Sequence, residues 1–187
     1  MSDYTQLPDD LPVPVDDGGA DHLRGTAMPS VTLASSDGGE VDLGALGGGL
    51  TVIYIYPMTG TPGVALPEGW DEIPGARGCT PESCSFRDHY AELRAAGAGA
   101  VYGLSTQDAD TQVELAARLE LPYPVLADPE LRLDAAIGLP SFEADGVTRY
   151  QRLTLIVSDG AIEHVFYPVF PPNTHAADVL AWLASRG

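Results

Sequence analysis

Residues 50–56 read LTVIYIY, an uninterrupted run of β-branched, aromatic and leucine residues without a charge. Such a run predicts a strand that is buried on both faces, because neither face carries a charged side chain for water. Strands of this kind lie inside a sheet that helices cover on both sides. Pro57 follows and ends the predicted strand, since proline lacks the N–H group that a central ladder needs. The chain is therefore expected to fold around a central sheet.

The rest of the chain alternates between patterns typical of strands and of helices. Asp37-Gly38-Gly39 lies between two apolar–polar alternating stretches and predicts an N-terminal hairpin. The further predicted elements are a helix over 80–96, a strand over 100–104, a helix over 111–119, a strand over 123–126, a helix over 131–137, paired strands over 152–157 and 161–167, and a final helix capped by Asn173 or Thr174. This order predicts one α/β domain over residues 29–187, with a central mixed sheet flanked by helices. Residues 1–28, rich in Asp, Pro and Gly, predict an irregular N-terminal arm.

The charge of the chain narrows its classes of partner. There are 27 acidic and 9 basic residues, a formal net charge of −18, and every basic residue is Arg. A surface of this sign repels a polyphosphate, so nucleic-acid binding is not expected. No stretch has the length and apolarity of a transmembrane helix, and the N-terminus lacks the basic and apolar regions of a secretory signal. We therefore expect a cytoplasmic protein without a membrane segment.

Cys79 and Cys84 are the only cysteines in the chain. Pro81 suits a first helical turn, which puts Cys79 at or just before a helix N-terminus. Unpaired backbone N–H groups and the positive end of the helix dipole stabilise a thiolate there, so the pattern predicts a lowered pKa of the Cys79 thiol. Phe86 follows Cys79 by seven residues, which places both side chains on the apolar, sheet-facing side of the helix.

The spacing of five residues between the two cysteines limits what they can do. In an intact helix their Cα atoms lie roughly 8–9 Å apart. A disulfide needs less than about 7 Å. The pair can therefore close only if the first turn unwinds, which suits a redox cycle better than a static crosslink. Structural cysteines and a metal site remain alternatives, although the His residues lack ligand spacing and Cys-x-x-Cys is absent.

The segment from Gly78 to Asp88, GCTPESCSFRD, resembles the peroxiredoxin Q group, also called the bacterioferritin comigratory protein type. That group shows Gly-Cys-Thr-x-Glu-x-Cys-x-Phe-Arg-Asp, and this chain matches each specified position. The likeness extends from about Ser30 to the C-terminus and implies a thioredoxin-like fold with peroxiredoxin additions. It also implies that Cys79 is the peroxidatic cysteine and Cys84 the resolving cysteine.

The resemblance assigns roles to further residues. Pro57 and Thr61 fit the family's Pro-x-x-x-Thr motif. Arg152 resembles the Arg that the family carries on a later strand, and Glu82 stands three positions after the cysteine, where the family has an acidic residue. By resemblance, Arg152 stabilises the thiolate, with little effect on the fold. Thr61 and the backbone N–H of Cys79 are expected to bond to the peroxide oxygens.

Two of these assignments have a competing residue, and the chain differs from the family pattern at one place. Thr59 competes with Thr61, and Arg149 competes with Arg152, because each lies close by in the sequence. The family places the cysteine three residues after the Thr, so residues 64–78 form a 15-residue insertion here. This insertion must loop out and return if the Thr and the Cys are to meet. It is expected to reshape access to the site or to create a contact surface around Trp70.

The resemblance implies a thiol-dependent peroxidase that reduces hydrogen peroxide or alkyl hydroperoxides without a metal or an organic cofactor. Cys79 is expected to become a sulfenic acid and to form an intramolecular disulfide with Cys84. A thioredoxin-like or other dithiol partner then reduces this bond. The protein is expected to be a monomer or a weak homodimer. A different class stays open, namely a peroxide sensor or binding module in which the insertion serves a partner.

Overall fold

The computed structural model describes residues 4–187, which form a seven-stranded mixed sheet with helices packed against it. The strands are β1 Thr32–Ser35, β2 Glu40–Asp42, β3 Leu50–Ile55, β4 Ala98–Ser105, β5 Val125–Ala127, β6 Ser141–Ala144, β7 Val147–Tyr150, β8 Leu153–Ser158 and β9 Ala161–Phe166. The α-helices are α1 Cys79–Asp88, α2 Tyr90–Ala95, α3 Ala109–Arg118, α4 Arg132–Ile137 and α5 His175–Ala184. The strand order is β2-β1-β5-β4-β3-β8-β9, and β6 pairs with β7 separately. The predicted α/β fold with a central mixed sheet and an N-terminal hairpin is confirmed.

Strand β3 lies inside the sheet, parallel to β4 and antiparallel to β8. Its side chains alternate between two buried layers, as its uncharged sequence predicts. Ile53 and Ile55 belong to a layer that also holds Leu23 of the N-terminal arm. Val52 and Tyr54 belong to the second layer, to which α1, α2, α3 and α5 contribute. This second layer anchors α1 on the sheet.

The helix predicted over 80–96 is interrupted in the structure. The chain leaves helical geometry at His89, so that α1 and α2 are separate elements. The ring Nδ1 of His89 bonds to the carbonyl oxygen of Ser85 at 2.9 Å, on the turn before the break. The final helix begins after Thr174, as predicted, although the Thr174 side chain makes no capping bond. Among the described helices none is long and apolar enough to cross a membrane.

The hairpin formed by β6 and β7 is absent from the predicted elements. Its strands pair antiparallel around Asp145 and Gly146, which have φ of 53° and 70°. A two-residue turn that matches the twist of its strands needs positive φ at both positions, and Asp-Gly is a preferred pair for it. The signal for this hairpin is therefore present in the sequence.

Residues 64–78 pack against this hairpin through Trp70 and Ala76, while other positions of the segment, such as Val64, are exposed. Trp70 is 2% exposed, and its ring centroid lies 6.0 Å from that of Phe142. The guanidinium of Arg149 lies 5.6 Å from the centroid of the Trp70 ring. Ala76 is buried in the same small cluster. The segment therefore has an apolar core of its own, which returns the chain to the start of α1.

The described part of the N-terminal arm, residues 4–28, contains no helix and no strand. A single bridge joins Ala27 to Ala161 of β9. Ala20, Leu23 and Met28 are buried in the core. The arm is therefore irregular in its backbone but packed onto the domain through its apolar side chains.

Candidate active site

Cys79 is the first residue of α1 and is 3% exposed. Gly78 precedes it with φ of 107°, a left-handed conformation that favours glycine. The cysteine shares a buried cluster with Phe86 and Tyr54, so it faces the sheet. The prediction of a sheet-facing cysteine at a helix start is confirmed.

Three polar groups converge on the Sγ atom of Cys79. Nη2 of Arg152 donates to it at 3.1 Å, and the backbone N–H of Met58 donates at 3.5 Å. The thiol itself donates to the carbonyl oxygen of Ala76 at 3.6 Å. Two donors on one sulfur favour its anionic form. The site therefore offers two donors to the sulfur once the thiol loses its proton.

Arg152 is held by a carboxylate and by backbone carbonyls. Its Nη1 donates to Oε2 of Glu82 in an ion pair whose members are 3% and 0% exposed. Its other N–H groups donate to the carbonyl oxygens of Gly75, Ala76 and Arg77 at distances between 3.2 and 3.3 Å. An arginine buried with so many partners also supports the fold, because its loss leaves them unpaired. This corrects the expectation that its substitution leaves the fold little changed.

Arg149, the competing arginine, occupies a different place. Its guanidinium stacks over Trp70, and its Nε atom is buried without a hydrogen-bond partner in the described part of the chain. Burial lowers the pKa of Arg149. Of the two candidates, the structure brings Arg152 to the sulfur.

The structure does not bring Thr61 to Cys79. Thr61 is exposed and lines a cavity whose wall does not include Cys79. Thr59 is buried, and its N–H and hydroxyl donate to Oε1 of Gln107 at 2.9 and 3.1 Å. Pro57 is buried two residues after the end of β3 and one residue before Met58, whose N–H group contacts the sulfur. Thr61 lies outside because the chain turns away into residues 64–78 just after it.

Burial governs the ionisation of this cluster. It raises the pKa of the Cys79 thiol, against the opposing effect of the Arg152 charge, and the Glu82 carboxylate raises it further. Burial also raises the pKa of Glu82 to about 7, although Arg152 lowers it. The lowered thiol pKa expected from the helix start is therefore wrong for this closed site. That expectation leaves out the desolvation of a buried sulfur.

Cys84 lies in the same helix, and both cysteines are free thiols. Cys84 is half-buried, which raises its pKa, while the nearby charge of Arg87 lowers it. Arg87 donates to Asp88 at 2.9 Å and to the carbonyl oxygen of Leu119 at 3.0 Å. The reduced form therefore holds both thiols within one intact helix, as the separation argument requires.

A cavity of about 10 Å³ lies against Cys79. Two of its lining residues, Thr80 and Tyr4, are missing from the residues predicted for the site. Thr80 is 2% exposed, and its hydroxyl has no partner within residues 4–187. Its place directly after Cys79 in the Gly-Cys-Thr motif is a signal that could have found it. Tyr4 is distant in the chain and carries no such signal.

Histidines take no direct part in this site. His175 is buried and shares a hydrogen bond of 2.8 Å with Thr154. Burial lowers the pKa of His175 to about 3, so its ring is neutral. Over residues 4–187, no three His, Cys, Asp or Glu side chains gather as metal ligands would. The polar groups that contact the Cys79 sulfur belong to an arginine and to the backbone.

Comparison with known sequences finds one family. The model of the Redoxin family matches residues 23–181. The chloroplastic peroxiredoxin Q of Oryza sativa subsp. japonica is 30% identical over 162 residues, which cover 87% of this chain and 67% of that protein. The chloroplastic peroxiredoxin Q of Arabidopsis thaliana is 28% identical over 160 residues, which cover 86% of this chain and 66% of that protein.

Solved structures agree in fold. Peroxidoxin BcpB from Mycobacterium tuberculosis has a TM-score of 0.69 at 26% identity, over 87% of this chain and 97% of that one. Peroxiredoxin Q from Xanthomonas campestris has a TM-score of 0.66 at 24% identity, over 94% and 98%. With the cysteine at the helix start, these matches decide the assignment. The chain belongs to the redoxin family and, within it, to the peroxiredoxins of the peroxiredoxin Q and bacterioferritin comigratory protein type, which are thiol-dependent peroxidases.

Proposed function

We propose that this chain reduces hydrogen peroxide or alkyl hydroperoxides through Cys79, with Cys84 as the resolving thiol and a thioredoxin-like or other dithiol protein as the reductant. The observation that carries the proposal is the convergence of the Arg152 guanidinium and the Met58 N–H on the sulfur of Cys79. These donors favour the thiolate. They also lie beside the atoms at which negative charge develops when a peroxide bond breaks.

In the first step the Cys79 thiolate attacks the terminal oxygen of the hydroperoxide. An S–O bond forms, the O–O bond breaks, and the sulfur is oxidised by two electrons to a sulfenic acid. The leaving oxygen takes a proton and departs as an alcohol or as water. Arg152 and the N–H groups at the start of α1 stabilise the charge on that oxygen. Glu82 is a positioning residue, because its carboxylate accepts a hydrogen bond from Nη1 of Arg152 and so orients the guanidinium.

In the second step the sulfur of Cys84 attacks the sulfenic sulfur. An S–S bond forms, and the hydroxyl group leaves as water. The first turns of α1 must unwind for this step, because an intact helix holds the two Cα atoms roughly 8–9 Å apart. Ser83 lies in these turns and accepts hydrogen bonds from the hydroxyls of Tyr54 and Tyr123 at 3.0 and 2.8 Å. Those bonds are lost in the oxidised form. A dithiol then restores both thiols by exchange.

The location and assembly that we propose follow from this cycle. Both cysteines must return to thiols in every turnover, which suits a reducing compartment such as the cytoplasm. A monomer or a weak homodimer suffices, because both thiols lie on one helix of one chain.

A peroxide-consumption assay with several dithiol donors tests the proposed function. Repeated turnover that depends on a dithiol supports a peroxidase. A single stoichiometric oxidation, without turnover with any donor, would overturn the proposal and favour the sensor.

Cys84→Ser is expected to leave the first oxidation of Cys79 fast and to block its recycling, because the sulfenic acid then has no second thiol in the chain. Rapid mixing with one equivalent of peroxide measures the first step, and steady-state consumption measures the second. In the wild type, oxidation should accelerate amide hydrogen exchange over residues 79–90, while β3 stays protected. Disulfides that form only between chains would argue against Cys84 as the resolving thiol.

Thr80→Val is expected to slow the first oxidation by about 10- to 100-fold, because one hydrogen bond to a charged group contributes about 1.5–3 kcal/mol. The reason is that the buried Thr80 hydroxyl has no hydrogen-bond partner among the described residues and lines the cavity at Cys79. Thr80→Ser keeps the hydroxyl and should retain most of the rate. Thr61→Val is the matched control, and a larger loss in that variant would return the role to Thr61.

A further inference from the structure

Tyr4 of the N-terminal arm forms part of the wall of the Cys79 cavity. It lines this cavity together with Cys79 and Thr80. Its ring packs directly on the backbone of Gly60, where an added Cβ atom would lie 2.9 Å from two ring carbons. A residue with a side chain at position 60 would therefore displace the ring. The absence of a side chain there lets the aromatic ring close down on the loop between β3 and α1.

Further contacts tie the arm to both ends of the segment that leads to Cys79. The hydroxyl of Tyr4 donates to the carbonyl oxygen of Val64 at the beginning of that segment. The guanidinium of Arg77, near its end, lies 5.6 Å from the centroid of the Tyr4 ring. Leu7 packs on Gly78, where an added Cβ atom would come within 2.7 Å of the Leu7 side chain. The arm is thus fastened across the cavity.

The cavity at Cys79 is small, so the position of the Tyr4 ring affects what can enter it. A volume of about 10 Å³ is about the space that one water molecule needs. Hydrogen peroxide has two heavy atoms, and an organic hydroperoxide has many more, so this narrow, partly open cavity must widen to admit either. Trp70, on another side of the cavity, is buried and packed on Phe142. Tyr4 is only half-buried, and the described part of its arm, residues 4–28, contains no helix or strand. The Tyr4 side of the cavity therefore moves at a lower cost than the Trp70 side.

We propose that Tyr4 is a specificity-determining residue, whose ring limits the size of the hydroperoxide that reaches Cys79. A small displacement of the ring admits hydrogen peroxide. A hydroperoxide with a bulky organic group needs the space that the ring itself fills, and it is held back. The inference rests on the proposed function, because it describes the wall of the same site.

The test compares the first-step rate constants of wild type and Tyr4→Ala with hydrogen peroxide and with cumene hydroperoxide. Removing the ring is expected to raise the rate ratio of cumene hydroperoxide to hydrogen peroxide by about 10-fold or more, the scale of steric discrimination in enzyme pockets. Tyr4→Phe keeps the ring and loses only the bond to Val64, so it should keep the wild-type ratio. Val15→Ala, at an arm residue that is 82% exposed, is the matched control and should also keep it.

An unchanged ratio in Tyr4→Ala overturns the proposal, whether both rates rise together or neither changes. An equal shift in Tyr4→Phe overturns it too, because the hydroxyl and not the ring would then set the preference. Thermal unfolding checks that the variants keep their fold. If Tyr4→Ala does not fold, Tyr4→Leu must still raise the ratio. A wild type that reacts with neither hydroperoxide would instead overturn the proposed function, and this inference with it.

Discussion

Replacing Cys79 with serine is expected to reduce peroxide consumption to the rate of the uncatalysed reaction. A serine hydroxyl stays protonated at neutral pH, whereas the reactive form of cysteine is the thiolate. A serine hydroxyl also cannot form an analogue of the sulfenic acid, in which the sulfur is bonded to the oxygen taken from the peroxide. The other thiol, Cys84, does not line the cavity at the start of α1. Steady-state consumption of hydrogen peroxide with a dithiol donor measures the loss.

Serine at position 79 also provides its own structural control. The substitution removes no apolar carbon atom and keeps a hydroxyl that can donate to the carbonyl oxygen of Ala76, which the thiol contacts at 3.6 Å. We therefore expect the unfolding temperature to change little. Turnover that persists in Cys79→Ser and disappears when Cys84→Ser is added would reassign the nucleophile to Cys84.

The fold and the reactive cysteine could be predicted because both depend on local patterns. The uncharged run of β3 specifies burial on both faces wherever it lies in the sheet. Pro81 and the apolar spacing to Phe86 specify a helix that starts at Cys79 and faces that sheet. Neither inference needs to know which distant residues come together.

The rest of the site depends on contacts between distant segments. Trp70 packs on a hairpin from the far half of the chain, and this contact decides how residues 64–78 run. Thr61 is left at the surface as a consequence. Tyr4 lines the cavity although it lies in the N-terminal arm, far from Cys79 in the sequence. A one-dimensional motif carries no information on such packing.

The ionisation of Cys79 likewise depends both on local sequence features and on contacts between distant segments. A helix start and a nearby cation both lower a thiol pKa, and the sequence indicates both. Desolvation raises it, and the depth of burial follows from the whole packed structure. The positive charge of Arg152 therefore offsets part of the cost of burying a thiolate. Its removal should have a large effect on the pKa of Cys79.

Arg152→Met is expected to raise the pKa of the Cys79 thiol further and to slow the first oxidation by roughly 10- to 1,000-fold at neutral pH. An opposite charge this close shifts a pKa by about 1–3 units. At a pH below the pKa, each unit of increase lowers the fraction of thiolate about tenfold. The sign is clear because loss of a cation can only disfavour the anion. In a Cys84→Ser background Cys79 is the only thiol, so the pH dependence of its alkylation measures its pKa directly.

The same substitution is expected to destabilise the fold, by about 3–5 kcal/mol, because it leaves the buried Glu82 carboxylate without its partner. Adding Glu82→Gln removes that unpaired charge and should recover much of the stability but not the rate. This separation identifies the charge of Arg152, and not the integrity of the fold, as the cause of the slow reaction. Arg149→Met removes the other nearby arginine and should leave the thiol pKa almost unchanged. If the double variant Arg152→Met/Glu82→Gln regained both the wild-type pKa of Cys79 and its rate, Arg152 would have no electrostatic role in the reaction.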